Sequence, residues 1–215
     1  MPNVVLIRAG ATDFDDDQRI QGSIELPLNE RGQAEVDDLI KELQDDEIGV
    51  IMTAPSEPSL STATGLSRGL GGVKVKENKG LANLNQGLWE GLPAEEVRRK
   101  YPKLFRQWRE APGTVCAPEG ETLVELHKRV RKVLEKPLKK KANLAIVAGE
   151  PLATILGCIL EGRNPELVDC LCGDDDIGQV TRLTIEAEAV EGIWERPISD
   201  SNGEGQADSQ AKGKS

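Results

Sequence analysis

Histidine is almost absent from this chain of 215 residues, which contains one, His127. Histidine is the residue that enzymes most often use as a general base, and its imidazole also serves as a nucleophile or a metal ligand. His127 falls in the middle of a predicted helix, away from the strand ends, and we expect it to face solvent. The sequence therefore excludes any mechanism that needs two histidines within one chain.

Long apolar runs and paired cysteines are also missing. No run approaches the roughly eighteen apolar residues of a membrane-spanning helix, and residues 1–8 are too short for the apolar part of a secretory signal. The cysteines lack C-x-x-C pairs, so we expect reduced thiols, with Cys170 and Cys172 as small buried thiols near a helix end. These absences predict a soluble cytoplasmic protein that has no metal, no cofactor and no contact with membranes.

Positively charged residues are fewer than negatively charged ones. There are 27 Lys and Arg residues against 37 Asp and Glu, which gives a formal net charge of −10. Binding to nucleic acid without sequence preference requires clustered Lys and Arg side chains that displace counterions from phosphates. The charge balance therefore excludes nucleic acid as a partner.

Short apolar runs alternate with helical patterns along the chain. Runs rich in β-branched residues at 4–7, 49–53 and 144–148 predict strands buried on both faces of a parallel sheet, and 180–185 predicts a further strand. Helices are predicted from Asn29, Pro93 and Thr122 and after Pro151. This alternation predicts an α/β fold, a three-layer sandwich with a mainly parallel central sheet.

Two helices carry specific expectations. In the helix that follows Asn29, the buried stripe should consist of Ala34, Leu39, Ile40 and Leu43. The helix that begins at Pro93 contains Pro102, which should kink or split it, because proline lacks the backbone N–H that a helix interior needs.

The composition changes abruptly after Pro197. Residues 199–215 contain no apolar residue larger than Ala. Such a segment cannot bury enough apolar surface to offset the entropy lost on ordering. We therefore expect one folded domain over residues 1–197 and a disordered polar tail over residues 198–215.

Five segments occur in an order that is typical of one known family. LIRAGATDFD, with RIQG and PLNERGQAEV after it, forms the first, and TAPSEPSLSTA the second. GLWEG, PEGETLVELHKRVRKVL and AIVAGEPLATIL follow. Together they resemble the N-terminal motif, the Ser-Ser-Pro helix start, the Gly-x-Trp-Glu-Gly turn, the Gly-Glu-Ser helix and the His-Gly strand of the histidine phosphatase superfamily, the phosphoglycerate-mutase-like proteins. The resemblance spans about residues 1–185 and implies the fold of that family.

The resemblance also implies a mechanism that this sequence cannot carry out. In the family, a His attacks phosphorus between two Arg and a second His, and a carboxylic acid protonates the leaving oxygen. This chain has Ala9 in place of the attacking His, Pro58 in place of an Arg, Asn83 in place of the acid and Gly149 in place of the second His. A methyl group cannot be phosphorylated, so no catalytic residue is expected.

The candidate ligand-binding residues implied by the same comparison are Arg8, Gly10, Asp15 and Glu150. Asp15 stands where the family has a phosphate-binding Asn, and Glu150 stands where it has the Gly of His-Gly. Two carboxylates in a partly desolvated pocket would oppose a phosphate dianion. Arg8 is either the remnant of an anion site or the partner of Asp15 or Glu150, and we prefer the second interpretation because a buried Arg without a partner is costly.

A calcium site is a further possibility. Asp13, Asp15 and Asp17 alternate as in an EF-hand loop. However, Gln18 replaces the glycine that this loop needs for its turn, and Ile24 replaces the bidentate Glu. The sequence predicts a solvated acidic loop here and no metal site.

Two functional hypotheses follow. The first is a pseudoenzyme: a member of the family that lacks catalytic activity and binds an unknown protein partner or small ligand. The second is a hydrolase with a non-standard site, in which Asp15, Glu150 or Glu90 would act as acid and base or would hold a metal ion. The sequence leaves the identity of the partner and the oligomeric state open.

Overall fold

A five-stranded sheet forms the centre of the computed structural model, which describes residues 3–110, 116–140, 143–163 and 179–196. The strands are β1 (Val4–Arg8), β2 (Val50–Thr53), β3 (Lys74–Glu77), β4 (Leu144–Ala148) and β5 (Val180–Leu183). Their spatial order is β3-β2-β4-β1-β5. The pairs β1–β4, β2–β3 and β2–β4 are parallel, and β5 pairs antiparallel with β1. The predicted α/β fold with a mainly parallel sheet is confirmed.

Helices connect the strands, since a parallel pair requires a crossover. They are α1 (Asp13–Asp16), α2 (Glu30–Glu42), α3 (Ser59–Gly69), α4 (Ala94–Lys100), α5 (Pro102–Glu110), α6 (Leu123–Leu138), α7 (Leu152–Glu161) and α8 (Val190–Glu195). The predicted effect of Pro102 is confirmed, because this residue begins α5 and Tyr101 separates α5 from α4.

The two faces of the sheet pack against different helices. Val5 and Ile7 of β1 belong to a core that includes residues of α2 and α3. Val4 and Leu6 belong to a second core with residues of α6, α7 and α8. Successive side chains of a strand point to opposite faces, so a short apolar strand contributes to both cores. The three-layer arrangement is thereby confirmed.

Side-chain caps explain where two of the helices begin. The Asn29 side chain accepts a hydrogen bond from the Gly32 N–H at 2.9 Å and so caps α2. Thr122 and Glu125 form a reciprocal capping box at the start of α6. Each cap satisfies backbone N–H groups that have no partner within the first helical turn. Both predicted starting points are confirmed.

The predicted buried stripe of α2 was partly wrong. Ala34 is exposed, and Val36 is buried instead, together with Leu39 and Leu43. The reason is the close contact that Gly32 makes with the loop after β1, which turns the face containing Gly32, Val36, Leu39 and Leu43 toward the core. Ala34 lies outside that face.

The sequence prediction missed β3, whose residues are KVKE. This is an edge strand with mostly exposed side chains, and charged edge strands lack the continuous apolar pattern of a buried strand. Over the described ranges, no helix is both long enough and apolar enough to cross a lipid bilayer. Cys170, Cys172 and the tail over 198–215 lie outside the described residues, so their predicted states stay predictions.

Candidate functional site

The ends of β1 and β4 bring two of the positions singled out by the sequence side by side. Ala9 follows β1, and its N–H donates to the carbonyl of Ala148, the last residue of β4, at 2.8 Å. Gly149 comes next, and a Cβ atom added to it would lie 3.4 Å from Nδ2 of Asn83. In a parallel α/β sheet, ligands bind beyond the carboxyl ends of the strands, which is where these residues lie.

A cavity of about 340 Å³ opens at this edge, and we call it the Asn83 cavity. Its walls are residues 21–25, residues 55–59 at the start of α3, Lys79 with Ala82 and Asn83, and Gly149. The structure therefore brings Pro58, Asn83 and Gly149 to one cavity, as the resemblance implies. None of the described residues that line it is an Arg or a His.

The Asn83 side chain joins three segments of the chain. Its Nδ2 donates to the carbonyl oxygens of Gly22 at 2.9 Å and Glu150 at 2.6 Å. Its Oδ1 accepts from the N–H groups of Leu84 at 2.9 Å and Leu152 at 3.3 Å. An ionised carboxylate has only acceptor oxygens and could not donate to the two carbonyls. Asn83 thus positions the cavity walls through a bonding pattern that an ionised Asp or Glu could not reproduce.

Glu90 holds the loop over residues 21–25 in place. Its Oε1 accepts from the N–H groups of Ser23 at 2.8 Å and Gln86 at 2.9 Å, and the Ser23 hydroxyl donates to both carboxylate oxygens at 2.9 Å. Gly22, at φ +56°, lies so close to Glu90 that a Cβ atom would be 2.6 Å from Glu90 Cγ. Both oxygens of Glu90 are therefore engaged in fixing the loop.

Arg8 lines a different cavity, of about 140 Å³, which we call the Arg8 cavity. Its walls include Glu150, Thr154 of α7 and Gln179. Along β1, Arg8 shares a sheet face with Leu6, which also lines this cavity, because strand side chains alternate. The structure thus brings Arg8 and Glu150 to one cavity on the α7 side of the sheet, and neither residue lines the Asn83 cavity.

Gly10 permits the close approach of α2. Its N–H donates to the Thr62 hydroxyl at 3.0 Å, and a Cβ atom would lie 2.7 Å from the carbonyl oxygen of Gly32. A larger residue would push α2 away from the end of β1. Because Thr62 accepts the Gly10 N–H, that donor is already engaged within the protein.

Carboxylates of the chain itself occupy backbone N–H groups where three helices follow the strands. Such N–H groups are the donors with which helix starts commonly bind phosphate. Asp15 accepts from Thr12 at 2.7 Å, Glu57 accepts from Ser61 at 3.2 Å, and Glu150 accepts from Thr154 at 3.3 Å. A phosphate that binds at one of these helix starts would have to displace the carboxylate there.

The predicted solvated acidic loop is seen at α1. Asp13 and Asp17 are exposed, whereas Asp15 turns back to Thr12, whose hydroxyl also donates to it at 2.8 Å. Throughout the part of the chain that the structure describes, no three His, Cys, Asp or Glu side chains cluster in a way that could hold a metal ion.

The expectation of a solvent-facing His127 was wrong. This side chain is half-buried in α6, and its ring centroid lies 5.4 Å from that of Trp194 in α8. Burial lowers the pKa of the His127 imidazole, and the charge of Arg131 lowers it further. His127 thus contributes to the packing between α6 and α8, and it does not line the Asn83 cavity.

Several residues of the Asn83 cavity were not singled out from the sequence. Ser23, Glu25 and Lys79 line it, and they come from loops and a short 3₁₀ helix at Lys79–Leu81. The RIQG segment pointed to the first loop only through the family resemblance, and no motif pointed to Lys79.

Arg129 of α6 fixes the segment that carries Asn83. Its guanidinium makes a bidentate contact with Glu121, at 2.6 Å from Nε and 2.8 Å from Nη2. It also donates to the carbonyl oxygens of Gly80 at 2.9 Å and Asn83 at 3.1 Å. The Arg129 side chain thus connects α6 to the segment from Gly80 to Asn83, which forms part of one wall of the Asn83 cavity.

Replacing Arg129 by Gln should lower the free energy of unfolding by about 2 kcal/mol, since hydrogen bonds to charged groups contribute about 1.5–3 kcal/mol. Glu121, whose side chain is 16% exposed, would lose its partner. The matched control is Arg131→Gln, because Arg131 is 39% exposed and pairs with Glu135 within the same helix. That control should change stability by about 0.5 kcal/mol or less. Urea unfolding compares the two, and equal losses would contradict the assigned role of Arg129.

Glu150 should make the protein less stable as the pH rises. Burial raises the pKa of the Glu150 carboxyl; hydrogen bonds from Thr154 and the charge of Arg8 lower it, and Asp15 raises it. The folded state therefore keeps this proton to a higher pH than the unfolded chain does. Its contribution to stability is complete below the unfolded pKa, about 4.3, and is lost as the pH rises through the folded pKa.

The variant Glu150→Gln removes this dependence. We expect it to be more stable than the wild type at about pH 7 and to differ little from it at about pH 4. Urea unfolding of both proteins across this range is the measurement. If the wild type instead became more stable relative to the variant as the pH rises, the prediction for Glu150 would be wrong.

The fold and the arrangement at the strand ends define a phosphoglycerate-mutase-like α/β protein. The profile of the histidine phosphatase superfamily (branch 1) matches residues 4–192. Phosphoserine phosphatase 1 of Hydrogenobacter thermophilus is 31% identical over 147 residues, which are 68% of this chain and 69% of that protein. A probable phosphoglycerate mutase of Yersinia enterocolitica is 27% identical over 161 residues, 74% of each chain. The chain belongs to the histidine phosphatase superfamily.

Solved structures show the same fold. A mycobacterial glucosyl-3-phosphoglycerate phosphatase complexed with VO3 has a TM-score of 0.68 at 22% identity, over 75% of this chain and 81% of that one. The α-ribazole phosphatase of Shigella flexneri has a TM-score of 0.66 at 20% identity, over 85% of this chain and 95% of that one.

Proposed function

We propose that this protein is a catalytically inactive member of its superfamily and acts by binding a protein partner or a small ligand. One observation carries the proposal: the described residues that line the Asn83 cavity include neither His nor Arg. Ala9 and Gly149 lie at the two strand ends where the family resemblance implies histidines. Phosphoryl transfer to a side chain requires a nucleophile, and a methyl group provides none.

The surrounding electrostatics support the same proposal. Triad-type hydrolases that lose their nucleophile keep roughly 10³ to 10⁴-fold catalysis over water through binding and charge stabilisation. Here Pro58 and Asn83 offer no positive charge and no acid. Asp15, Glu57 and Glu150 occupy backbone donors at helix starts, which are therefore not available to a phosphate. The rate acceleration that binding and charge stabilisation alone could provide should therefore also be small.

A phosphatase assay tests the proposal directly. Purified protein is incubated with p-nitrophenyl phosphate, phosphoglycerates and O-phosphoserine, the last chosen because one relative is named a phosphoserine phosphatase. We expect no release of phosphate above the buffer control. Release that Arg8→Ala abolishes and that Arg68→Ala, at an exposed position in α3, leaves unchanged would overturn the proposal.

Restoring the nucleophile alone should not restore turnover. In Ala9→His, the new imidazole would lie near Gly149 and Pro58, and neither residue can stabilise the charge that develops on the transferred phosphoryl group. Phosphate release by this single variant, measured with the same substrates, would show that the remaining site is more competent than we propose.

The second candidate function is acid–base catalysis by Glu150. The specific observation in its favour is that burial raises the pKa of Glu150 beside Arg8, and a carboxylic acid with a raised pKa is a better candidate for a general acid than one with an ordinary pKa. The alternatives Asp15 and Glu90 have oxygens that already accept hydrogen bonds from donors within the protein.

Two experiments test this second candidate function. Hydrolysis that is lost in Glu150→Gln would favour acid–base catalysis by Glu150. Tight binding of Mg²⁺, Mn²⁺ or Ca²⁺ that Asp15→Asn abolishes would favour a metal-dependent form.

A further inference from the structure

We propose that the Asn83 cavity binds an unphosphorylated zwitterion of the amino acid class, with Lys79 contacting its carboxylate and Glu25 contacting its ammonium group. This inference rests on the proposed function, since it assumes that the cavity binds a ligand without transferring phosphate. It specifies the class of small ligand that the cavity is built to hold.

The charged residues of the cavity wall are the first argument. They are Glu25, Glu57 and Lys79. Glu57, which precedes α3, accepts from the N–H of Ser61 at 3.2 Å and from the Ser61 hydroxyl at 2.7 Å. The side chains of Glu25 and Lys79 make no hydrogen bond or ion pair with another residue in the described part of the chain. Both residues are exposed, so the cavity wall carries one solvated anion and one solvated cation that have no protein partner among the described residues.

These charges disfavour a phosphate monoester. A phosphate dianion could pair with Lys79, but Glu25 and Glu57 on the same wall would repel it. A ligand with a single charge would engage only one of the two groups, Glu25 or Lys79. A zwitterion can engage both at once, and a charge-assisted hydrogen bond is about twice as strong as a neutral one.

The size and rigidity of the cavity also suit a small ligand. Its volume of about 340 Å³ lies at the lower end of the range of about 300–1,000 Å³ for small-molecule pockets. Asn83 joins its walls, Glu90 fixes the loop that carries Ser23, and Arg129 holds the backbone of Asn83. A cavity whose walls are already held in place loses little entropy when a ligand binds.

Calorimetric titration of the full chain tests the inference. The ligands are L-serine, L-threonine and L-glutamine at up to about 10 mM, and the comparison compounds are lactate, ethanolamine and inorganic phosphate. We expect at least one amino acid to bind more tightly than all three comparison compounds. Lys79→Gln and Glu25→Gln should each weaken that binding by about tenfold or more.

Matched controls come from β3. Lys76→Gln and Glu77→Gln remove the same charges from exposed positions that do not line the cavity, and they should leave binding unchanged. The inference is overturned if no amino acid binds, if phosphate binds more tightly, or if neither cavity variant weakens binding.

The two proposals fail in different ways. Phosphate release from O-phosphoserine by the same preparation, abolished by Arg8→Ala, would overturn the proposed function. Absence of release together with absence of amino acid binding would overturn only the ligand class proposed for the Asn83 cavity.

Discussion

Replacing Gly32 by Ala should destabilise the protein by about 3 kcal/mol, although alanine favours a helix more than glycine does. The added Cβ atom would overlap the carbonyl oxygen of Ala11 and would lie 2.7 Å from its nitrogen. Ala11 cannot move easily, because its N–H donates to Glu35 at 2.9 Å and its carbonyl accepts from Asn29 at 3.0 Å. The substitution would therefore separate α2 from the loop that follows β1.

A second glycine provides the matched control for this prediction. Gly192 lies inside α8, and a Cβ atom added there would have no neighbour within 4 Å. Gly192→Ala should stabilise the protein by about 0.5–1 kcal/mol through helix propensity alone. Urea unfolding followed by circular dichroism measures both variants. Shifts of the same sign would show that propensity, and not the contact with Ala11, governs Gly32.

Replacing Trp89 by Ala should cost about 3–5 kcal/mol, the range observed when a large aromatic residue is removed from a core. Trp89 lies in a 3₁₀ helix at Gly87–Trp89, is 0% exposed and belongs to the core on the α6 side of the sheet. Its ring centroid is 6.3 Å from that of Tyr101. Its removal would leave a cavity behind Glu90, the residue that fixes the loop over the Asn83 cavity.

The neighbouring residue Leu88 is the control for Trp89. Leu88 is 51% exposed, so Leu88→Ala should change the free energy of unfolding by about 0.5 kcal/mol or less. Denaturant unfolding distinguishes the two variants. Similar losses for Trp89→Ala and Leu88→Ala would mean that the GLWEG turn contributes through its backbone and not through the buried indole.

The layers of the fold could be predicted from the sequence because their signals are local. Continuous β-branched runs indicated β1, β2 and β4, and a proline within a helical pattern indicated the break between α4 and α5. The edge strand β3 was missed because Lys74, Lys76 and Glu77 are charged and exposed, which leaves Val75 as its single apolar residue. Ala34 was misplaced because a contact between Gly32 and a distant loop, and not the apolar pattern, sets the rotation of α2.

The sequence by itself determined which chemical groups this chain possesses. With His127 as its single histidine, no arrangement of the chain could supply two imidazoles to one site. The tertiary structure decided where the remaining groups lie: Arg8 and Glu150 line one cavity, and Asn83 joins Gly22 to Glu150 and Leu152. The reason is physical, since a local pattern fixes residue type and strand face, whereas these contacts join segments more than sixty residues apart.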